Sequence, residues 1–363
     1  MQQMRFNHDA LVLARESRGM SQKDLAREIH IPPAILSRIE HGLKTDITPE
    51  VLKRFSEILQ YPEGFFFQPG QIVPISSEFQ YRKGASVRAL DQKRIEASAN
   101  LTRWQINLLL RDIEIEKNIK FFDLDEYGNK PSNVANAVRY YWRIPKGPIN
   151  NLVEVLEAAG IIIVQMEFGT RFISGFSVYN SEKYPLIFID KDLPTDRFRF
   201  TLAHELAHIL MHNTRTENAE SEAYEFAAEF LMPQYDIKDD LYGINLKKLA
   251  DLKQYWKVSM AAIAKKAKNN NNIDPEQYKY ICMQISKAGY RLKEPVELPK
   301  ENPKLLDEII NIYFKELGYS IDDLSRLLFL NSEEFRLKFL SHYNRFQIFK
   351  HVKSTNFFNQ EEI

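Results

Sequence analysis

The chain has 363 residues with 49 Lys and Arg against 49 Asp and Glu, so it carries no net charge and cannot hold nucleic acid as a bulk polycation. A hydrophobic share of 44% and a charged share of 27% exclude global disorder, and the length allows two or three domains. The single cysteine, Cys282, excludes intrachain disulfides and thiolate-rich zinc sites, so the chemistry falls to His, Glu or Asp.

Residues 1–68 are expected to form a helical domain. Apolar residues recur at three and four positions from Leu11 to Ala14, and this helix stops near Gly19. Ser21 is placed to cap a helix through Gln22, Leu25, Ala26 and Ile29, followed after a short turn by a helix over Ile31–Glu40 and then Gly42. Two short helices so joined predict a helix-turn-helix. Pro49 opens another helix, and YPEGFFF closes the domain with aromatic bulk.

Residues 69–130 read as a linker that contains a short strand, then a long helix from about Leu90 to Lys117. Basic residues outnumber acidic ones between Arg82 and Arg103, which is read as a solvated helix face. Residues 131–298 are expected to form the next domain. Asn133–Ala159 is read as helical, and short strands are predicted at Ile161–Met166, Gly175–Tyr179 and Leu186–Ile189. Beyond Pro233 the pattern is mostly helical, and residues 299–363 read as a small separate helical segment of unassigned role. The fold class is therefore mainly α with a small β-sheet, α+β. No long internal repeat is evident. The longest apolar stretch, Ala158–Val164, is far short of a bilayer span, so the expected setting is a reducing cytoplasm without a membrane partner.

The chemistry centres on TLAHELAHILMH, Thr201–His212. His204 and His208, four residues apart on a helix, share a face and can reach one metal ion; zinc suits such ligands. Glu205 projects beside them, placed to take a proton from water and pass it to a leaving amine. In ESEAYEFAAEFLMP, Glu220 falls within the arc of Ala223, Phe226, Ala227, Phe230 and Leu231, whereas Glu222, Glu225 and Glu229 fall opposite. A carboxylate on a buried arc needs a partner, which nominates Glu220 as third ligand, with Glu222 in reserve because helix starts fray. His212, one further turn along, is read as a hydrogen-bonding support or a substitute ligand.

Together these residues resemble the ImmA/IrrE family of HExxH metallopeptidases, in the arrangement with an XRE (Cro/cI-like) helix-turn-helix fused ahead. The marks are Ser21-Gln22 with Leu25-Ala26, LSRIEHG, YPEGFF, GFSVYN with PLIFID, RFTLAHELAHILMH and FAAEFLMP. The resemblance implies a gluzincin-type Zn2+ site that maps onto His204, His208 and Glu220, with Glu205 catalytic; Tyr224 stands where the pattern has Asn or Asp. It further implies that Pro33, Ala34, Ile35, Ser37 and Arg38 approach base edges, and that Ser21 and Gln22 meet phosphates or bases. The implied partners are a double-stranded DNA operator, bound by a homodimer, and a repressor-like protein cut to relieve repression. The alternative is a non-catalytic regulator or antitoxin-like repressor whose peptidase fold senses a ligand or metal.

Overall fold

The computed structural model describes residues 5–68, 87–179, 184–212 and 217–340. The strand expected in the linker, the residues Arg82 and Lys83, and the end of the final segment lie outside these. The chain divides into two compact units. One contains the described residues up to 68, apart from 16–21, together with 306–340; the other contains 87–305.

The first unit begins with α1 (His8–Ser17), α2 (Gln22–Glu28), α3 (Pro33–Glu40) and α4 (Pro49–Leu59), then a 3-10 turn at Glu63–Phe67. Helix α3 starts at Pro33 and not at Ile31. Proline disfavours helical backbone in the residue before it, so Pro32 stays extended at ψ 137° and Pro33 takes the first helical position. Leu11, Leu25, Ile29, Leu36, Phe55 and Phe65 form the core. At its margin the Arg15 guanidinium donates to both oxygens of Glu40, at 2.7 and 3.1 Å, so α1 and α3 are joined by a bidentate, little-exposed pair.

The second unit opens with α5 (Ala89–Leu109). This helix ends well before Lys117, and the β-branched Ile113, Ile115 and Ile119 lie outside any helix. The chain there finds its backbone partners elsewhere: Ile115 N–H donates to Tyr184 Oη and Asn118 N–H to Ala159 O. The stretch 133–159 is two helices, α6 (Pro131–Tyr141) and α7 (Leu152–Ala158), since Pro145, Gly147 and Pro148 interrupt it and Asn151 caps the second.

Three strands follow, β1 (Ile162–Met166), β2 (Gly175–Val178) and β3 (Leu186–Asp190), in the order β1-β3-β2. β1 runs parallel to β3 with Ile162 opposite Leu186, and β2 runs antiparallel with Phe176 opposite Phe188. The sheet supports α8 (Thr195–Met211), which packs against β2, β3 and α9 (Ala219–Leu231). At Gly175 the approach is so close that a Cβ would stand 2.8 Å from Thr201 Cγ2, so β2 can lie on α8 only with glycine there. Helices α10 (Gln234–Ile237), α11 (Leu246–Trp256), α12 (Met260–Asn269) and α13 (Pro275–Lys287) complete the core around Trp256, Phe226 and Phe230.

Residues 294–305 then cross back over this unit. Glu301 pairs with the fully buried Arg199 of α8 and accepts the N–H groups of Leu152 and Val153, which begin α7. Glu294 and Asp196 both accept from Lys253, at 2.7 and 2.5 Å. These buried pairs fix the N-terminal half of α8, the helix that carries the histidines.

The remaining helices are α14 (Leu305–Lys315), α15 (Ile321–Leu327) and α16 (Ser332–Phe339). They cluster with the N-terminal helices and do not stand alone. Among the described residues no helix is long and apolar enough to cross a membrane.

Candidate metal centre

Helix periodicity puts His204 and His208 on one face of α8, and the packing of α9 brings Glu220 up to them. His204 Nε2 lies 3.2 Å from His208 Nε2, and the two nitrogens lie 3.4 Å from Glu220 Oε2 and Oε1 respectively. The His rings are largely buried, while the Glu220 side chain is 52% exposed, so the cluster is open on the carboxylate side. Burial raises the Glu220 pKa, but hydrogen bonds from both imidazoles and their charge outweigh this and hold it far below the usual carboxylate range.

The donor spacing fits a zinc-sized ion. Ligands at ~2.0–2.1 Å from a tetrahedral centre stand ~3.3–3.4 Å from one another, close to the three separations found here. Two imidazole nitrogens and a carboxylate are also the chemistry that zinc accepts, with a fourth position left for water or substrate.

His212 and Glu222 stand behind the cluster. His208 Nδ1 and His212 Nδ1 are 2.9 Å apart, and His212 Nε2 is 2.9 Å from Glu222 Oε2. A chain of hydrogen bonds therefore runs from Glu222 through His212 to the far side of the His208 ring. Burial and the neighbouring His208 lower the His212 pKa, against the raising effect of Glu222.

Glu205, the residue after His204, is held at the seam between α8 and strand β2. It is 7% exposed, and Ser177 Oγ on β2 donates to its Oε2 at 2.9 Å. Sequence reasoning did not single out Ser177; alternation within GFSVYN puts it on one face of a strand, but strand-to-helix register is a tertiary matter. Tyr224 lays its ring against Phe200, with centroids 4.9 Å apart.

Glu220 is not the buried carboxylate that its place on the apolar arc of α9 predicts. The carboxylate that α9 buries is Glu229, 4% exposed, where Lys266 pairs with it and Asn136 and the Gln234 N–H donate to it. At Glu229 the face opposite the apolar arc is covered by α6 and α12, so that carboxylate is buried and partnered, while Glu225 on the same face stays exposed and Glu220 is half exposed.

In the helix-turn-helix, Pro33, Ala34 and Arg38 of α3 are exposed, and Ile35, Ser37, Ser21 and Gln22 are half-buried. Gln22 Nε2 donates to Glu40 Oε2 at 2.9 Å, so its amide nitrogen is engaged within the domain. Of the basic residues on α5, Arg94 donates to Phe168 O at 2.6 Å and Arg103 to Asn100 Oδ1 at 3.3 Å.

A helix-turn-helix joined to an α+β domain with His204, Glu205 and His208 on its central helix defines a DNA-binding regulator with a metallopeptidase-like domain. Comparison with family models agrees: residues 11–66 match the helix-turn-helix model, and residues 156–268 match the IrrE N-terminal-like domain, a peptidase family. The chain is thus an XRE-type helix-turn-helix fused to an ImmA/IrrE-type domain, which implies a divalent metal. A comparison with curated proteins finds no significant match.

Proposed function

We propose that the second unit is a zinc peptidase that cuts an exposed loop of a repressor-like protein and that the helix-turn-helix directs the chain to an operator. The observation that carries this is the triangle of donor atoms on His204, His208 and Glu220 at zinc-ligand spacing, with an acid-base carboxylate one residue away. His204 Nε2, His208 Nε2 and one Glu220 oxygen would hold the ion. Its contribution when bound is to polarise a peptide carbonyl and acidify water. Glu205 takes a proton from the attacking water and delivers it to the leaving amine nitrogen. Ser177 holds Oε2 of that carboxylate, so the transfer falls to Oε1. His212 and Glu222 orient His208 from its Nδ1 side, which supports a helper role for both and not ligation.

On the DNA side, Pro33, Ala34, Ile35, Ser37 and Arg38 are proposed to face base edges, with Ser21 contacting phosphate. Arg38 supplies the cationic donor of this set, and the domain has no net basic field, so affinity should be modest.

The test is the zinc content of the native chain beside His204→Ala, Glu220→Ala and Glu222→Ala variants. About one zinc per native chain, lost with His204 or Glu220 and retained without Glu222, supports the assignment. A native chain that takes up no zinc would turn the reading toward a ligand-sensing regulator without turnover.

A further inference from the structure

Helices α15 and α16 repeat α2 and α3 position for position. The first helix of each pair has seven residues and the second has eight. One constant offset carries Gln22 onto Ile321, His30 onto Phe329 and Pro33 onto Ser332. His30 and Phe329 are the left-handed residues of their turns, at φ 56° and 53°; Gly19 and Gly318, related by the same offset, have φ 66° and 71°.

The backbone bonds that shape the two turns also correspond. Ile29 N donates to Leu25 O at 3.0 Å, as Leu328 N does to Leu324 O; His30 N reaches Arg27 O at 3.2 Å, and Phe329 N reaches Arg326 O at 3.3 Å. Ile31 N donates to Ala26 O at 3.0 Å and Leu330 N to Ser325 O at 2.9 Å. Leu25, Ala26, Ile29 and Leu36 are buried, and so are their counterparts Leu324, Ser325, Leu328 and Phe335. Even the leading helix is present, since α14 precedes α15 as α1 precedes α2.

The charges repeat within the first helix of each pair, where Asp24 and Arg27 recur as Asp323 and Arg326, each an ion pair three residues apart, but not at the start of the second helix. Where the first motif has Pro33, Ala34 and Ile35, the second has Ser332, Glu333 and Glu334, and the counterpart of Arg38 is Leu337, 70% exposed. Asp322 also stands where the first motif has Lys23. Carboxylates at the ends of both helices repel phosphate, and leucine offers no donor to a base edge. The turn of the second motif instead meets the N-terminal helical domain at the end of α4 and the following 3-10 turn. Asn331 Nδ2 donates to Gln60 O at 3.4 Å, and Phe329 Cε1 lies 3.7 Å from where a Cβ on Gly64 would stand.

We infer that residues 305–340 are a second helix-turn-helix that does not read DNA and serves as a built-in partner of the first, bracing the corner between α4 and the 3-10 turn. The contrast between the two motifs rests on DNA binding by the first, whereas the bracing can be read without DNA.

The test uses the full chain. Phe329→Gly removes the ring, and the positive φ suits glycine, so the turn itself is retained. Amide exchange over residues 60–67 should then quicken at least threefold; unchanged exchange would overturn the brace. Binding to a mixed-sequence duplex is followed against salt for the native chain, Arg38→Glu and Glu333→Lys/Glu334→Lys. Arg38→Glu should weaken binding about tenfold or more, while the double lysine variant should leave both affinity and salt slope unchanged. A salt slope steeper by about 1.8, as expected for two new phosphate contacts, would place the second motif on DNA and overturn its exclusion. A native chain that binds no duplex would refute the DNA reading of the first motif, leaving the exchange measurement to decide the brace.

Discussion

Ser177 on strand β2 donates its hydroxyl proton to Oε2 of Glu205 on α8 across 2.9 Å, joining the sheet to the helix that carries both histidines. The bond holds a nearly buried carboxylate in one orientation next to the metal cluster. It also makes the strand a positioning element for the proposed base.

Ser177→Ala should leave zinc content unchanged and lower kcat about tenfold, the scale found when a supporting hydrogen bond is removed from such a site. Ser177→Thr, which keeps the hydroxyl, should restore most of the rate. Equal losses in the two variants would point to packing and not to the hydrogen bond.

Glu205→Gln keeps the shape of the side chain and removes its capacity to accept a proton. Zinc content should stay at about one per chain while cleavage of the substrate falls at least 100-fold. Turnover at the native rate would remove Glu205 from the proposed base role.

His212→Ala breaks the chain from Glu222 to His208 Nδ1 and should weaken zinc binding about 10- to 100-fold, with the stoichiometry at saturation unchanged. Glu222→Gln should show a smaller effect in the same direction. Competition with a zinc chelator reads both, independently of any activity.

Arg199→Met strands the Glu301 carboxylate, and the chain should lose about 3–5 kcal/mol in a denaturant melt. The double change Arg199→Met/Glu301→Leu removes both charges and should recover much of the loss, although the N–H groups of Leu152 and Val153 lose their acceptor. A double variant no better than the single one would show that those backbone bonds are the main contribution.

Lys253 should make stability fall at alkaline pH. Burial opposes its charge, but the bonds to Asp196 and Glu294 prevail and raise its pKa above the ordinary lysine value. The folded state then binds the proton more tightly than the unfolded state, so the stabilisation is complete below the ordinary value and is lost as pH rises through the raised one. The stability difference between the native chain and Lys253→Met should be constant up to about pH 9 and shrink as pH rises past the ordinary lysine value of about 10.4, whereas a difference constant throughout would show that the charge is not involved.

The local half of this protein was legible residue by residue. A spacing of four along a helix puts His204 and His208 together whatever surrounds them, and Pro49 marks a helix start through backbone chemistry alone, whereas the starts set by Pro33 and Asn151 were missed. The three strands announced themselves as β-branched and aromatic runs beside glycine. The limit of α5 was missed: Ile113 and Ile115 alternate with Glu114 and Glu116, and the chain there takes backbone partners from Tyr184 and Ala159 in place of a helical turn.

Tertiary packing decided the rest. Which carboxylate of α9 is buried depends on the helices that cover its second face, so Glu229 went inside with Lys266 and Glu220 stayed half open beside the histidines. Ser177 became a partner of Glu205 only through the close approach that Gly175 permits. The second helix-turn-helix was hidden for a related reason: its turn geometry and buried positions repeat, while few residue types do and the start of its second helix carries Glu333 and Glu334 in place of Ala34 and Ile35. Periodicity along one element is written in local sequence, whereas contact between elements is set by shape and by the need to partner every buried polar group.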